Sequence, residues 1–156
     1  MIRVVRLVRH RYAPTPSHAY SGLGAEQYGG RWNNVGVAVA YAAATASLSV
    51  LETLVRIDRA FAPTDYELVY ANIPSDAVLT LGVLPADWRT PGGSHATRQV
   101  GDEFAASNRA LALAVPSVVV PDEFNYLINP RHLAFSQVLI ESRVLPFSFD
   151  ARLFAA

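Results

Sequence analysis

Apolar and polar positions alternate imperfectly over residues 2–8, which predicts a first strand. Two prolines in Ala13-Pro14-Thr15-Pro16-Ser17 then exclude regular structure. The glycine-rich Tyr20–Ala25 leads to a second apolar run at residues 37–42, whose β-branched and aromatic members suit a short buried strand. Residues 45–57 read as a helix capped by Thr45 or Ser47, with leucines and valines on most sides. Tyr66–Ile73 alternates as a strand stopped by Pro74, and 78–81 is a shorter one. After an exposed connection at 85–94, residues 97–111 read as a helix with Val100, Phe104 and Leu111 inward. The apolar piece 112–121, framed by Pro116 and Pro121, predicts a strand near a sheet edge or interrupted by a bulge, followed by a polar turn containing Asn125, Asn129 and Pro130. Strands are expected at 137–141 and 145–149. Strands at both ends with helices between them fit an α+β class better than a regular βαβ alternation.

Composition sharpens this picture. The 156 residues, 51% hydrophobic and 17% charged, are read as one domain spanning 1–156 with a substantial core. The absence of cysteine excludes disulfides, thiolate nucleophiles and cysteine zinc sites. There is also no lysine, which removes Schiff-base chemistry and the phosphate-loop lysine. The N-terminus lacks a signal-peptide core and no apolar run reaches membrane-spanning length, so a cytoplasmic protein without membrane contact is expected. Arg3, Arg6, Arg9 and Arg11 cluster early, but the net charge is zero and the footprint for nucleic acid is weak. They are read as a solvated strand edge.

Candidate chemistry concentrates in Gly29-Gly30-Arg31-Trp32-Asn33, read together with Tyr41 and Glu52. Paired glycines let the backbone turn with positive φ and approach a ligand closely, and they deliver a permanent cation. Glu52, among Leu51, Leu54 and Val55, is costly to bury without a partner, so it is paired either with Arg31 or with a shared ligand. The alternative is a helix glutamate pointing to solvent. Trp32 is expected to pack beneath the arginine. No histidine or carboxylate spacing supports a metal, and a triad of Ser117, His132 and Asp150 lacks a nucleophile elbow.

Gly-Gly-Arg-Trp-Asn, followed by Gly36, Val39-Ala40-Tyr41-Ala42 and Leu51-Glu52, resembles the RES domain family, named for an arginine, a glutamate and a serine. The resemblance continues through Val115-Pro116-Ser117, Asn125–His132 and Phe149–Leu153. It implies a compact α+β fold of mixed or antiparallel sheets, similar to ADP-ribosyltransferase toxins, and consumption of NAD+. It also implies a toxin of a bacterial toxin–antitoxin pair, blocked by an Xre-like helix-turn-helix antitoxin. Under it Arg31 suits bidentate phosphate contact, and Glu52 suits stabilisation of positive charge at the ribose. Tyr41 offers a ring to stack on nicotinamide, and Ser117 holds a phosphate or the carboxamide. Tyr12 is carried over as an aromatic near the ligand, and Asn129 and His132 stand in a loop where they either line the same cleft or tie the loop to its own backbone. Ser136 is the alternative to Ser117. The acceptor of ADP-ribose stays open between water, phosphate and a protein side chain. Val50 and Leu51 stand where arginine-modifying transferases carry a second acidic or amide residue, which weakens arginine as a target. The competing function is a non-catalytic nucleotide-binding or interaction module in which Glu52 is structural.

Overall fold

The computed structural model describes residues 1–58, 60, 63–139 and 141–154. Its strands are β1 (Ile2–Arg9), β2 (Ala40–Ala43), β3 (Tyr66–Ile73), β4 (Val78–Thr80), β5 (Ala112–Pro116), β6 (Phe124–Ile128) and β7 (Arg143–Phe147). They form one seven-stranded sheet in the order β4-β5-β6-β2-β1-β3-β7. The β4–β5 pair is parallel and the other neighbouring pairs are antiparallel. The helices are α1 (Pro16–Ala19), α2 (Leu23–Tyr28), α3 (Ala46–Leu54), α4 (His95–Ser107) and α5 (Phe135–Val138). This is the α+β organisation that the pattern predicts, resolved into a single mostly antiparallel sheet.

Strand alternation divides the core between the two faces. Val4 and Val8 of β1, Ala40 and Ala42 of β2, Val69 and Ala71 of β3 and Ile128 of β6 pack on one face with Tyr20, which is fully buried. On the other face Leu113, Val115 and Leu127 pack against Trp32 and against Phe104 of α4. Further along that face Val5, Leu7 and Leu68 pack with Leu54 of α3 and with Phe149.

Several boundaries differ from the sequence reading. The helix expected at 97–111 runs from His95 to Ser107, because Ser94 and Thr97 form a capping box and Asn108 stops it in the left-handed conformation at φ 52°. The strand expected at 112–121 ends at Pro116, and the strand expected at 37–42 pairs over Ala40–Ala43. The polar turn expected around Asn125 is instead the interior strand β6, with Asn125 registered against Val115 and Ala43. Asparagine is disfavoured in strands unless its amide finds a partner, and that of Asn125 donates to Glu52. Residues expected as a strand at 137–141 begin inside the one-turn helix α5, whose Val138 is buried; Ile140 lies outside the described residues. Three apolar residues in a row cannot distinguish the two periods. β7 lies two residues earlier than expected, at the sheet edge where Pro146 is tolerated.

The N-terminal strand is the largest correction for function. β1 is not a solvated edge: it lies between β2 and β3. Against β3 it is registered along its whole length, from Ile2–Ile73 to Arg9–Tyr66. Against β2 it is registered at Val5–Ala43. Beyond that pair, the Leu7 amide donates to Ser49 Oγ of α3 at 2.8 Å, and the Arg6 guanidinium donates to the Tyr41 carbonyl. Side chains thus satisfy backbone groups where the two strands part. No helix among the described residues is long and apolar enough to cross a membrane.

Candidate active site

A cavity of about 750 Å³ opens where β1 and β2 diverge, walled by residues of both strands, by α2 and by α3. That volume suits a ligand of nucleotide size.

The Gly-Gly-Arg-Trp-Asn segment forms one wall. Gly29 closes α2 at φ 70°, in the left-handed region, with its amide donating to the Ala25 carbonyl. Gly30 is needed for a different reason, since a Cβ there would sit 2.7 Å from the Tyr41 hydroxyl. The close approach is therefore to Tyr41. Its Oη accepts from the Trp32 amide at 3.0 Å and donates to Asn33 Oδ1 at 2.7 Å. Asn33, fully buried, donates in turn to the carbonyls of Ala25, Asn34 and Val37. The loop is fixed from within, and Tyr41 also lines the cavity. Burial drives the Tyr41 phenol above its ordinary pKa, against the opposing hydrogen bond from Trp32, so the group stays neutral.

Arg31 Nη1 donates to the carbonyls of Trp88 at 2.7 Å and Thr90 at 2.6 Å. Partial burial lowers its pKa while Glu52 raises it. Trp32 is buried beneath this segment, packed with Phe104, and a Cβ on Gly101 of α4 would lie 1.6 Å from the Trp32 carbonyl oxygen. Asp102, next in α4, accepts from both the amide and the side chain of Asn34 at 2.9 and 2.7 Å. Helix α4 thus clamps the loop that carries Arg31.

Glu52 projects from α3, whose N-cap Thr45 accepts from the Leu48 amide. Its side chain is 20% exposed. Oε1 accepts from Ser117 Oγ at 2.8 Å and from Asn125 Nδ2 at 2.7 Å, and Oε2 lies 4.0 Å from Arg56. Among the described residues no direct ion pair joins Glu52 to Arg31, although both line the cavity. The direct pairing expected from the sequence is replaced by neutral donors from β6 and the end of β5. Arg56 is the nearer cation along the chain, and sheet order brings Ser117 and Asn125 to the carboxylate.

The other candidates separate. Ser117 is buried behind Glu52, while Ser136 is exposed on α5. Tyr12 is 71% exposed with the Arg11 guanidinium over its ring, and it is not part of the cavity wall. Asn129 is buried and bonded to the Ala105 carbonyl, to Asn108 and to the Arg131 amide. His132 accepts from the Ala134 amide. Asn129 ties its loop to the C-terminal end of α4, His132 ties its own loop, and both lie outside the cavity wall. Among the described residues no cluster of histidine and carboxylate side chains could hold a metal ion.

Three wall residues escaped the sequence reading: Arg6, Arg56 and the Asn125 side chain. Arg6 had a legible signal, standing in phase with the inward row Ile2, Val4 and Val8. Arg56 lies one helical turn from Glu52. For Asn125 no local signal exists.

The RES domain matches residues 3–150 of the chain. A protein named Toxin Res from Yersinia enterocolitica is 39% identical over 150 residues, covering 95% of this chain and 97% of that one. A Prs ADP-ribosylating toxin from a Sphingobium species is 42% identical over 117 residues, covering 72% of this chain and 73% of its own. Among solved structures, the MbcT–MbcA toxin–antitoxin complex of M. tuberculosis contains a chain of similar fold, with a TM-score of 0.66 at 20% identity, covering 92% of this chain and 84% of that one.

Proposed function

This chain belongs to the RES domain family, and we propose that it is the toxin of a toxin–antitoxin pair that breaks the nicotinamide–ribose bond of NAD+. The observation that carries the reading is the placement of Glu52, a carboxylate fixed by two neutral donors in a nucleotide-sized cavity that also presents Arg31 and Tyr41.

Cleavage of that bond leaves the electron pair on nicotinamide and an oxocarbenium-like centre on the ribose. Glu52 stabilises the developing positive charge, and its second oxygen accepts from a ribose hydroxyl. Arg31 has Nη1 committed to two carbonyls, which fixes the guanidinium and leaves its other nitrogens for the dinucleotide phosphates. The Tyr41 ring stacks on nicotinamide; its hydroxyl is committed to the loop, so it orients rather than reacts. Ser117 acts through Glu52 as a positioning residue. The acceptor then bonds to C1′ and gives up its proton, with water, phosphate or a protein side chain in that role. The Sphingobium relative's name supports a protein acceptor. The toxin–antitoxin complex of the structural neighbour supports an antitoxin partner, for which an Xre-like protein is our expectation.

The test is to incubate the purified chain with NAD+ labelled on the adenylate side, with and without phosphate and with a cell lysate, following nicotinamide and the label. Nicotinamide release that disappears in Glu52→Gln is expected. Label on a protein band selects transfer, and label on free ADP-ribose or its phosphate selects the small acceptors. If no condition releases nicotinamide, the chain is a binding module and this reading fails.

A further inference from the structure

Arg31 is gripped by one segment, residues 85–94, in the connection from β4 to α4. Its Nη1 donates to the carbonyls of Trp88 and Thr90, and a Cβ on Gly93, whose φ is 87°, would lie 2.7 Å from the Arg31 Cα. The segment therefore touches both the guanidinium and the backbone of Arg31, and Gly92 within it lines the cavity. Two carbonyls converge on one nitrogen only while the turn between them keeps its shape. Three backbone bonds hold that turn: the amides of Trp88, Thr90 and Gly93 donate to the carbonyls of Pro85, Asp87 and Thr90 at 3.1, 3.0 and 2.9 Å. Trp88 also packs against the cluster of Trp32 and Phe104.

One side chain ties this turn to a fixed body. Asp87 Oδ1 accepts from Ser94 Oγ at 2.9 Å. Ser94 is the buried N-cap of α4, and its oxygen accepts the Thr97 amide at 3.1 Å, which directs its proton to Asp87. The capping box is complete with Ser94 and Thr97, so α4 does not need Asp87 in order to begin. What the carboxylate adds is a link between the helix and the turn that holds Arg31. Further along α4, Asp102 holds the Arg31 loop through Asn34. The guanidinium and the loop that carries it are thus both referenced to one helix, the arrangement that preorganisation of a binding group requires.

We propose that Asp87 is a positioning residue for Arg31: by holding the 85–94 turn to the N-cap of α4, it fixes the direction of the guanidinium that receives the ligand. Asp87 is not part of the cavity wall, so it acts through Arg31 and not on the ligand. The geometry uses its Oδ1 as a hydrogen-bond acceptor, a task that an asparagine oxygen also performs. The kinetic consequence rests on the reading of Arg31 as a contact to NAD+; the consequence for the guanidinium's own motion does not.

Steady-state kinetics of the full chain compare wild type, Asp87→Ala and Asp87→Asn; the residue is exposed, so its truncation leaves the core intact. Asp87→Ala is expected to raise KM for NAD+ by about three- to tenfold, the worth of one hydrogen bond, with kcat within about twofold. Asp87→Asn keeps the acceptor and should return KM to near the wild-type value. In an Arg31→Lys background Asp87→Ala should add less than about twofold, because residues that act through one another are not additive. A second readout needs no turnover. In nitrogen-15 spectra of the arginine side chains, a guanidinium held at Nη1 rotates slowly and gives two separate Nη signals, identified for Arg31 by their absence in Arg31→Lys. These are expected in wild type and Asp87→Asn and should merge in Asp87→Ala. An unchanged KM in Asp87→Ala, an equal rise in both Asp87 variants, an undiminished effect in the Arg31→Lys background, or separate signals in Asp87→Ala overturns the proposal. If nicotinamide is never released but the signals merge in Asp87→Ala alone, the positioning role stands and the NAD+ reading fails.

Discussion

Ser117 donates its hydroxyl proton to Glu52 Oε1 at 2.8 Å while its own oxygen receives the amides of Val119 and Val120 at 3.0 and 3.1 Å. The two amides occupy the acceptor side of the hydroxyl, so its proton is directed to the carboxylate. Ser117→Ala is expected to lower kcat for nicotinamide release by about tenfold with little change in KM, the loss of one hydrogen bond to a charged group. Glu52→Gln should lower kcat by about 10²–10³-fold while NAD+ affinity stays within a few-fold. Steady-state kinetics and equilibrium titration check both; equal losses in kcat and affinity for Glu52→Gln would contradict the assigned role.

Arg31 bridges two carbonyls with one nitrogen and keeps the rest of its fork for the ligand. A lysine has a single nitrogen for all of these tasks. Arg31→Lys is therefore expected to raise KM for NAD+ by about 10–100-fold, with a smaller effect on kcat.

Tyr41 and Tyr20 are both held above their ordinary pKa of 10.0, chiefly by burial. Above pH 10 the unfolded chain releases these protons and the folded chain retains them, so stability is complete below that pH and falls as pH rises beyond it. Tyr41→Phe should lose about 1–3 kcal/mol at neutral pH, from the unpaired Trp32 amide and Asn33 oxygen. It should also show a shallower alkaline loss than wild type. Urea denaturation at neutral pH and above pH 10 measures both effects.

Gly101 and Gly24 are both helical, yet alanine should act oppositely at the two sites. At Gly101 the added Cβ falls 1.6 Å from the Trp32 carbonyl, and α4 must move off the Arg31 loop. Overpacking of about 1–3 kcal/mol exceeds the helix-propensity gain of about 1 kcal/mol, and turnover should fall as Arg31 shifts. At Gly24 an added Cβ meets nothing within 4 Å, so Gly24→Ala should be neutral or stabilising. Thermal melts of the two variants make the comparison.

The chain's local pattern carried the parts of this structure that depend on neighbours in sequence. Alternation located β1 and β3, the Thr45 cap set the start of α3, and the paired glycines marked the turn that delivers Arg31. Family resemblance joined Arg31, Tyr41, Glu52 and Ser117 into one list, and three of these line a single cavity with the fourth behind Glu52. Tyr12 and Asn129, taken from the same resemblance, lie away from that wall.

What tertiary structure alone decided is which groups meet. Glu52 is bonded to residues 65 and 73 positions away, because the order β5-β6-β2 carries Ser117 and Asn125 to the mouth of α3. Arg6 became a cavity residue because β1 lies inside the sheet and parts from β2 after Val5–Ala43. A sequence records the period of each strand, which follows from backbone geometry and neighbouring side chains. Strand order and the point of divergence follow from packing among residues far apart in the chain, and those contacts assign each buried polar group its partner.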